Sequence, residues 1–391
     1  MLTRLYVDNF KALVDFELKL GKAVFLIGLN GAGKSTVLQF IDFVSSVAKG
    51  NTDEWLRARD WSAADLNSKL KKRSNIEFEL EFDFKTGDSQ DRGSWRASFN
   101  RSLMRCTQEE IKVDGKTVAR VSDGVFINLE KPERSAKIRT DYKGSYIFQL
   151  KDVELEDWPA ICSIKQLWRD MQVLDALSAQ SLRKRSREAS GSLGLGGEKL
   201  SALIHEMSPQ SLKKLHDVAS KFYPGSNFKT KSMRSGWKEL FLVEKYGGTD
   251  LTTFQQHIND GVLRVLAILA LLQSENALVV FDEIENGINP ELTEELVNVV
   301  LKSRPQVITT THSPLILNYL PDEVALKSVN YLYRNIDGAV KAVRFFDIPS
   351  MRKKLSVMGP GEVFADTDLK ALYQEISPKN GLKQHDLSGE W

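Results

Sequence analysis

The feature that most constrains the fold is a glycine-rich segment between an apolar run and a helical pattern. Residues 23–27 form a short unbroken apolar run, which is typical of a strand buried on both faces. Residues 28–35 match the pattern Gly-x-x-x-x-Gly-Lys-Ser, and the apolar residues of 35–47 recur at helical spacing. This order of strand, loop and helix predicts a phosphate-binding loop.

The residue types of this loop suit a nucleoside triphosphate. Glycines let successive backbone N–H groups turn towards phosphate oxygens, and the following helix adds the positive end of its dipole. We expect Lys34 to reach the β- and γ-phosphates and the Ser35 hydroxyl to bind Mg²⁺. The loop residues predicted to bind ATP are Asn30, Gly31, Ala32, Gly33, Lys34, Ser35 and Thr36.

Polar residues follow two further predicted strands. Asp282 and Glu283 come directly after residues 277–281, and His312 follows residues 306–311. We expect Asp282 to join Ser35 at the magnesium ion and Glu283 to polarise the attacking water. His312 can hydrogen-bond both water and a phosphate oxygen. The sequence therefore predicts an ATPase with Glu283 and His312 as catalytic residues.

Alternating strands and helices at both ends of the chain predict a mostly parallel sheet covered on both faces. We assign residues 1–85 and 250–391 to the two halves of one head, residues 86–150 to a β-rich part, and residues 151–249 to a mainly helical insertion. The predicted fold class is α/β, with a parallel phosphate-loop sheet, an antiparallel β subdomain and an inserted helical segment.

Composition excludes several classes of protein. A net charge of +2 over 391 residues is not that of a polycation, so any nucleic-acid surface must be local. The two cysteines, Cys106 and Cys162, have no zinc-type spacing, and no apolar run reaches the ~18 residues of a membrane span. The start of the sequence alternates like a strand instead of resembling a signal peptide. We expect a cytoplasmic protein without a membrane partner.

Four segments together resemble a known group of proteins. Residues 9–10, 28–36, 282–290 and 310–314 look like the head of ABC-type ATPases. The resemblance is to the group of SMC, RecF and OLD-related bacterial AAA-family ATPases, and not to transporters. It covers roughly residues 1–45 and 250–320 closely.

This resemblance implies further site residues. It places a D-loop at residues 286–289 and a signature motif at residues 258–261, where Asn259 replaces the serine that would bind a partner's γ-phosphate. No glutamine is a clear Q-loop residue, although Gln149 is a candidate. The residues implied to contact nucleotide from this part of the chain are Asn259, Asp260, Gly261 and Asn289.

The resemblance also implies partners. Heads of this kind sandwich ATP between two copies, so we expect a head-to-head homodimer or a higher oligomer. No nuclease constellation follows residue 320. We therefore expect a separate effector, such as a TOPRIM-type nuclease, and a role in bacterial anti-phage defence. The alternatives are a DNA-repair ATPase similar to RecF or SMC, and an ATP-bound scaffold with slow turnover.

Two basic clusters lie outside these motifs. Residues 183–187 contain four cations, and a second cluster has no acidic residue within it. Aromatic residues interleave the second cluster, as in nucleic-acid-binding surfaces. Binding of DNA or RNA and a solvated face both remain open. The residues of the second cluster are Lys221, Lys229, Lys231, Arg234 and Lys238.

Overall fold

A computed structural model describes residues 1–86, 89–122, 124–129, 135–138, 142–151, 158–174 and 177–376. Its strands are β1 (Leu2–Asp8), β2 (Phe16–Lys19), β3 (Ala23–Ile27), β4 (Asn75–Thr86), β5 (Ser89–Asn100), β6 (Arg105–Val113), β7 (Lys116–Ser122), β8 (Val125–Asn128), β9 (Ala136–Lys137), β10 (Met171–Leu174), β11 (Ser226–Ser232), β12 (Lys238–Tyr246), β13 (Thr249–Phe254), β14 (Leu278–Phe281), β15 (Gln306–Thr310), β16 (Val329–Arg334) and β17 (Val340–Arg344).

The helices alternate with these strands most regularly in the last third of the chain. They are α1 (Lys34–Lys49), α2 (Thr52–Arg57), α3 (Pro159–Arg169), α4 (Ala179–Leu182), α5 (Leu200–Glu206), α6 (Pro209–Phe222), α7 (Asp260–Leu272), α8 (Thr293–Lys302), α9 (Pro314–Asn318), α10 (Asp322–Ser328), α11 (Pro349–Leu355), α12 (Pro360–Ala365) and α13 (Leu369–Ile376). None of the described helices is long and apolar enough to cross a membrane.

A six-stranded sheet forms the centre of the head, in the order β10-β14-β15-β3-β16-β17. Its neighbours pair in parallel from β10 to β16, and β17 is antiparallel. Strands β3, β14 and β15 are buried along their whole length, as the unbroken apolar runs of β3 and β14 predict for those two strands. Because β3, β14 and β15 end at the same edge, the polar residues that follow them meet there.

A second, antiparallel sheet has eight strands in the order β2-β1-β4-β5-β6-β7-β8-β9. Alternate residues of β4, such as Phe78 and Phe82, are buried, which is the period of a sheet with one face on the core. Helix α1 packs on this face, where its Phe40 and Phe43 make edge contacts with Phe78 and Phe99. The sheet includes β1, β2 and β4, so it runs across the boundary expected at residue 85.

Residues 151–249 also differ in part from the mainly helical insertion that the sequence suggests. Strand β10 is an edge strand of the parallel sheet, where it pairs with β14. Helices α4 to α6 then lead into a three-stranded antiparallel sheet, β11-β12-β13. The four residues of β10 are too few for its periodicity to reveal a strand.

Candidate nucleotide-binding site

The glycine-rich loop joins β3 to α1 in a conformation that requires glycine. Gly33 precedes the first turn of α1 with φ 102°, which is a left-handed backbone. A Cβ atom at Gly28 would lie 2.4 Å from the Leu332 carbonyl oxygen, and one at Gly33 would lie 2.4 Å from a methyl group of Val340. Both positions therefore combine positive φ with close packing that excludes any side chain.

Lys34 is buried, and its ammonium group lies against the loop that precedes it. Its Nζ atom donates hydrogen bonds to the carbonyl oxygens of Gly28 (3.0 Å) and Leu29 (3.2 Å), and the residue is 7% exposed. Burial lowers the pKa of Lys34, whereas Asp282 and Glu283 oppose that change by attraction. The two carboxylates favour the charged form of the Lys34 ammonium group, and a bound phosphate would pair with that charge.

Ser35 and Asp282 meet at the edge of the sheet. Ser35 Oγ donates to Asp282 Oδ2 at 2.9 Å, although the two residues come from different strand–loop units. Thr310, fully buried at the end of β15, donates to the other oxygen of Asp282. A serine hydroxyl beside a carboxylate supplies the oxygen ligands that Mg²⁺ prefers, so this pair fits a magnesium ion bound with a nucleotide.

The same threonine also fixes the backbone of the neighbouring glutamate. Thr310 Oγ1 accepts a hydrogen bond from the Glu283 N–H at 2.7 Å. Glu283 has φ 48°, a left-handed conformation that a glutamate adopts at a cost of about 1–3 kcal/mol. The contacts to Thr310 hold this strained backbone, so the Glu283 side chain leaves the strand end in a defined direction.

His312 lies beside Glu283. Its Nε2 atom is 3.9 Å from Glu283 Oε1, and the two side chains are 37% and 47% exposed. Glu285 accepts hydrogen bonds from the His312 N–H (2.9 Å) and from Thr311 Oγ1 (2.8 Å). Glu285 thus fixes the backbone that carries His312, while the imidazole and the Glu283 carboxylate both face solvent.

One open cleft brings most of the predicted site residues together. Ala32 is buried within the loop itself, where its N–H donates to the Leu29 carbonyl oxygen. Arg334, at the end of β16, is an addition that the motifs do not include, and its Nε donates to the Gly31 carbonyl oxygen at 2.7 Å. The cleft is lined by Asn30, Gly31, Gly33, Lys34, Ser35, Thr36, Asp282, Glu283, His312 and Arg334.

The predicted signature segment lies instead at the start of α7. Asn259 caps this helix, because its Oδ1 accepts a hydrogen bond from the Gly261 N–H at 2.9 Å. Asp260 forms an ion pair with Arg183. Asn289 caps the turn before α8 in the same way, accepting from the Glu291 N–H at 3.2 Å. These residues are not among those that line the cleft of their own chain.

The Q-loop candidate Gln149 is at the far end of α1. Its side-chain amide donates to the carbonyl oxygens of Lys143 and Ser145, and its carboxamide packs against Gly50, which ends the helix. A helix of 16 residues separates this point from the loop by about 24 Å. Gln149 therefore does not reach the cleft.

The second basic cluster does not form one continuous surface of free cations. Lys221 pairs with Glu295 at 3.2 Å, and Lys238 donates to Ser232 Oγ at 2.8 Å. The other members, Lys229, Lys231 and Arg234, are exposed on β11 and in the turn after it.

Fold and cleft together define the class of protein, an ATPase head built on a parallel phosphate-loop sheet. A family model described as an AAA ATPase domain matches residues 1–231, and the chain belongs to this family. A second model, described as "AAA domain, putative AbiEii toxin, Type IV TA system", matches residues 169–318.

Sequence and structure similarities to other proteins are consistent with this family. The chain is 52% identical to an OLD nuclease of Thermus scotoductus over 44 residues, which is 11% of this chain and 8% of that protein. A structure of an SMC head bound to the C-winged helix domain of ScpA aligns with TM-score 0.55 and 14% identity, covering 88% of this chain and 97% of that one.

A second solved structure is an SMC head with an extended coiled coil, bound to the C-terminal domain of ScpA from Pyrococcus furiosus. It aligns with TM-score 0.53 and 11% identity, covering 91% of this chain and 99% of that one. The predicted fold class is confirmed, and so is the resemblance to heads of the SMC, RecF and OLD-related group.

Proposed function

We propose that this protein binds ATP with Mg²⁺, hydrolyses it, and uses the cycle as a switch. The observation that carries the proposal is the arrangement around Thr310, which joins the Ser35–Asp282 pair to Glu283 beside the phosphate loop. A metal site, a loop cation and a free carboxylate are the parts that phosphoryl transfer to water needs. All of them face one cleft.

Each residue has a distinct part in the proposed reaction. Lys34 would offset phosphate charge, and Ser35 and Asp282 would hold a magnesium ion, which would neutralise charge on the β- and γ-phosphates. Glu283 accepts a proton from the attacking water as the water oxygen bonds to the γ-phosphorus, and the bond from that phosphorus to the β–γ bridging oxygen breaks, so that ADP leaves. His312 donates a hydrogen bond to the γ-phosphate or to that water from its position 3.9 Å from Glu283.

A second copy of the chain would complete the site. Asn259, Asp260, Gly261 and Asn289 do not line the cleft of their own chain, and Asn259 and Asn289 lie at helix starts. We propose that two heads dock face to face, so that these residues of one head cover the nucleotide of the other. Binding of ATP then favours the closed dimer, and hydrolysis removes that preference.

Glu283→Gln tests the hydrolytic step. The amide has nearly the same shape but cannot accept a proton, and loss of a general base costs about 10²–10⁴-fold in rate. Steady-state phosphate release should fall by that factor, while nucleotide titration shows unchanged ATP affinity and light scattering shows an ATP-dependent dimer. Glu323→Gln, the same change on an exposed face of α10, is the control. Wild-type turnover in Glu283→Gln would move the base elsewhere, with His312 the first candidate.

We further propose that the switch controls a separate effector, such as a TOPRIM-type nuclease, in bacterial anti-phage defence. The toxin–antitoxin description of one matching model and the similarity to an OLD nuclease support this role. Expression of the genomic neighbourhood should restrict phage growth, and Glu283→Gln should abolish that restriction. A deletion that sensitises cells to DNA damage without affecting phage would favour the alternative, a repair ATPase similar to RecF or SMC.

The second candidate function is an ATP-bound scaffold with slow turnover. Asn259 favours it, because an asparagine stands where the family resemblance implies the serine that would bind a partner's γ-phosphate. The test compares two rates, that of phosphate release and that of dimer dissociation. If phosphate release is the slower of the two, hydrolysis does not drive the dimer apart, and the scaffold is favoured over a cycling switch.

A further inference from the structure

The two basic clusters that are separate in sequence meet in space. The Lys238 N–H donates to the Ser186 carbonyl oxygen at 2.7 Å, which joins β12 to the segment of residues 183–187 in an antiparallel bridge. An open groove runs along this junction. Its lining includes Arg183, Lys184, Arg185, Arg234 and Trp237.

The groove carries an excess of positive charge. Its acidic residue, Glu239, is 2% exposed and bonded by Arg185 Nε at 2.8 Å, so that charge is neutralised within the wall. Lys184 and Arg234 are exposed and have no acidic partner among the residues that the structure describes. Two unpaired cations at the rim favour a polyanion as the occupant.

An aromatic ring lies among these cations. Trp237 is 38% exposed, and the guanidinium of Arg187 lies 4.8 Å from the centre of its ring. The Met233 N–H donates to the Trp237 carbonyl oxygen at 2.6 Å, closing a tight turn in which Ser235 has φ 59°. This turn holds the ring at the groove.

From these contacts we propose that the groove binds single-stranded nucleic acid. Cations along a groove bind the phosphates, and an exposed aromatic ring stacks on unpaired bases. A duplex has its base faces stacked on one another, so it could use the cations but not Trp237. Arg183 links the groove to the nucleotide switch, because its guanidinium also pairs with Asp260 of the signature segment.

The proposal goes beyond the ATPase function and is tested without nucleotide, so the two can fail separately. Full-length protein is titrated against a fluorescent oligothymidylate, the matched duplex and poly-glutamate over a series of salt concentrations. We expect the oligothymidylate to bind most tightly. Equal affinity for the duplex, preference for poly-glutamate, or absence of salt-sensitive binding would each overturn the proposal.

Two kinds of variant separate charge from stacking. Lys184→Glu with Arg234→Glu should weaken binding of the oligothymidylate and lower its salt slope by about 0.7 for each phosphate that the protein no longer neutralises. Trp237→Ala should weaken binding by about tenfold and leave the slope unchanged.

Matched controls lie elsewhere on the surface. Lys353→Glu repeats the charge reversal on α11, and Tyr246→Ala removes a 62% exposed aromatic ring at the other end of β12. Neither should change affinity. If Trp237→Ala also leaves affinity unchanged while circular dichroism shows a native fold, the stacking site is refuted.

Discussion

Thr310 gives the sharpest test of how the candidate site is built. Its hydroxyl is fully buried, donates to Asp282 and accepts from the Glu283 N–H at 2.7 Å. Thr310→Val keeps the volume and branching of the side chain but removes both hydrogen bonds. The Asp282 carboxylate would then be free to rotate, and the strained backbone of Glu283 would lose its partner.

The size of the effect follows from these two bonds. A hydrogen bond to a charged carboxylate contributes about 1.5–3 kcal/mol, and an N–H left without a partner costs about 1–3 kcal/mol. If the hydrogen bond from Thr310 to Asp282 stabilises the transition state by that amount, its loss lowers the turnover rate roughly 10- to 150-fold. The cost of leaving the Glu283 N–H without a partner should appear as a lower free energy of unfolding.

The assay is steady-state phosphate release together with a titration of ATP. We expect turnover to fall by that factor while ATP affinity changes little, because Lys34 and the loop remain intact. Thr310→Ser restores the hydroxyl and should recover most of the rate, which separates a positioning role from general damage to β15. Unchanged turnover in a folded Thr310→Val protein would refute the reasoning.

Three further predictions follow from the same structure. Lys34→Ala should weaken ATP binding by about 10- to 150-fold in a calorimetric titration, because a charged hydrogen bond of about 1.5–3 kcal/mol is removed. Asn259→Ser should keep the cap of α7, since serine also caps helices, and should speed phosphate release, because serine is the residue that the family resemblance implies for binding a partner's γ-phosphate. Burial raises the pKa of Glu109 to about 7 from the usual 4.5, so in the folded protein its carboxyl stays largely protonated up to about that pH. Stability should therefore be full below about pH 4.5 and fall by on the order of 3 kcal/mol as pH rises through 7. Urea unfolding should show this slope in the wild type and not in Glu109→Gln.

The core of the cleft could be predicted because each part has a local signal. The loop residues have a fixed spacing, and Asp282, Glu283 and His312 each follow a predicted strand. Parallel strands bring their carboxyl ends to one edge, so the sequence order of strand and polar residue is enough to predict the meeting of these side chains. The hydrogen bond between Ser35 and Asp282, at 2.9 Å, is the outcome of that rule.

The features that could not be predicted depend on pairing between distant segments. Arg334 reaches Gly31 because β16 pairs beside β3, and nothing near Arg334 in the sequence indicates this. The groove arises in the same way, since the bridge between Ser186 and Lys238 joins two clusters that the sequence presents separately. The sequence does offer a signal for Thr310 and Glu285, because both belong to the segments that carry the family resemblance.

The contacts between α7 and the cleft suggest how closure of a dimer would reach the reacting groups. Arg264, in the first turns of α7, donates to the Asn286 carbonyl oxygen at 3.2 Å, and the Asn286 amide lies 3.4 Å from Glu283 Oε2. Gly261 packs so closely on the Gly287 backbone that a Cβ atom would lie 3.0 Å from its oxygen. In the proposed dimer, a partner that contacts the start of α7 would therefore be connected to the Glu283 carboxylate through Arg264 and Asn286. Glu283 and His312 are 3.9 Å apart in the single head, which leaves space between them for a group that hydrogen-bonds both, such as the attacking water.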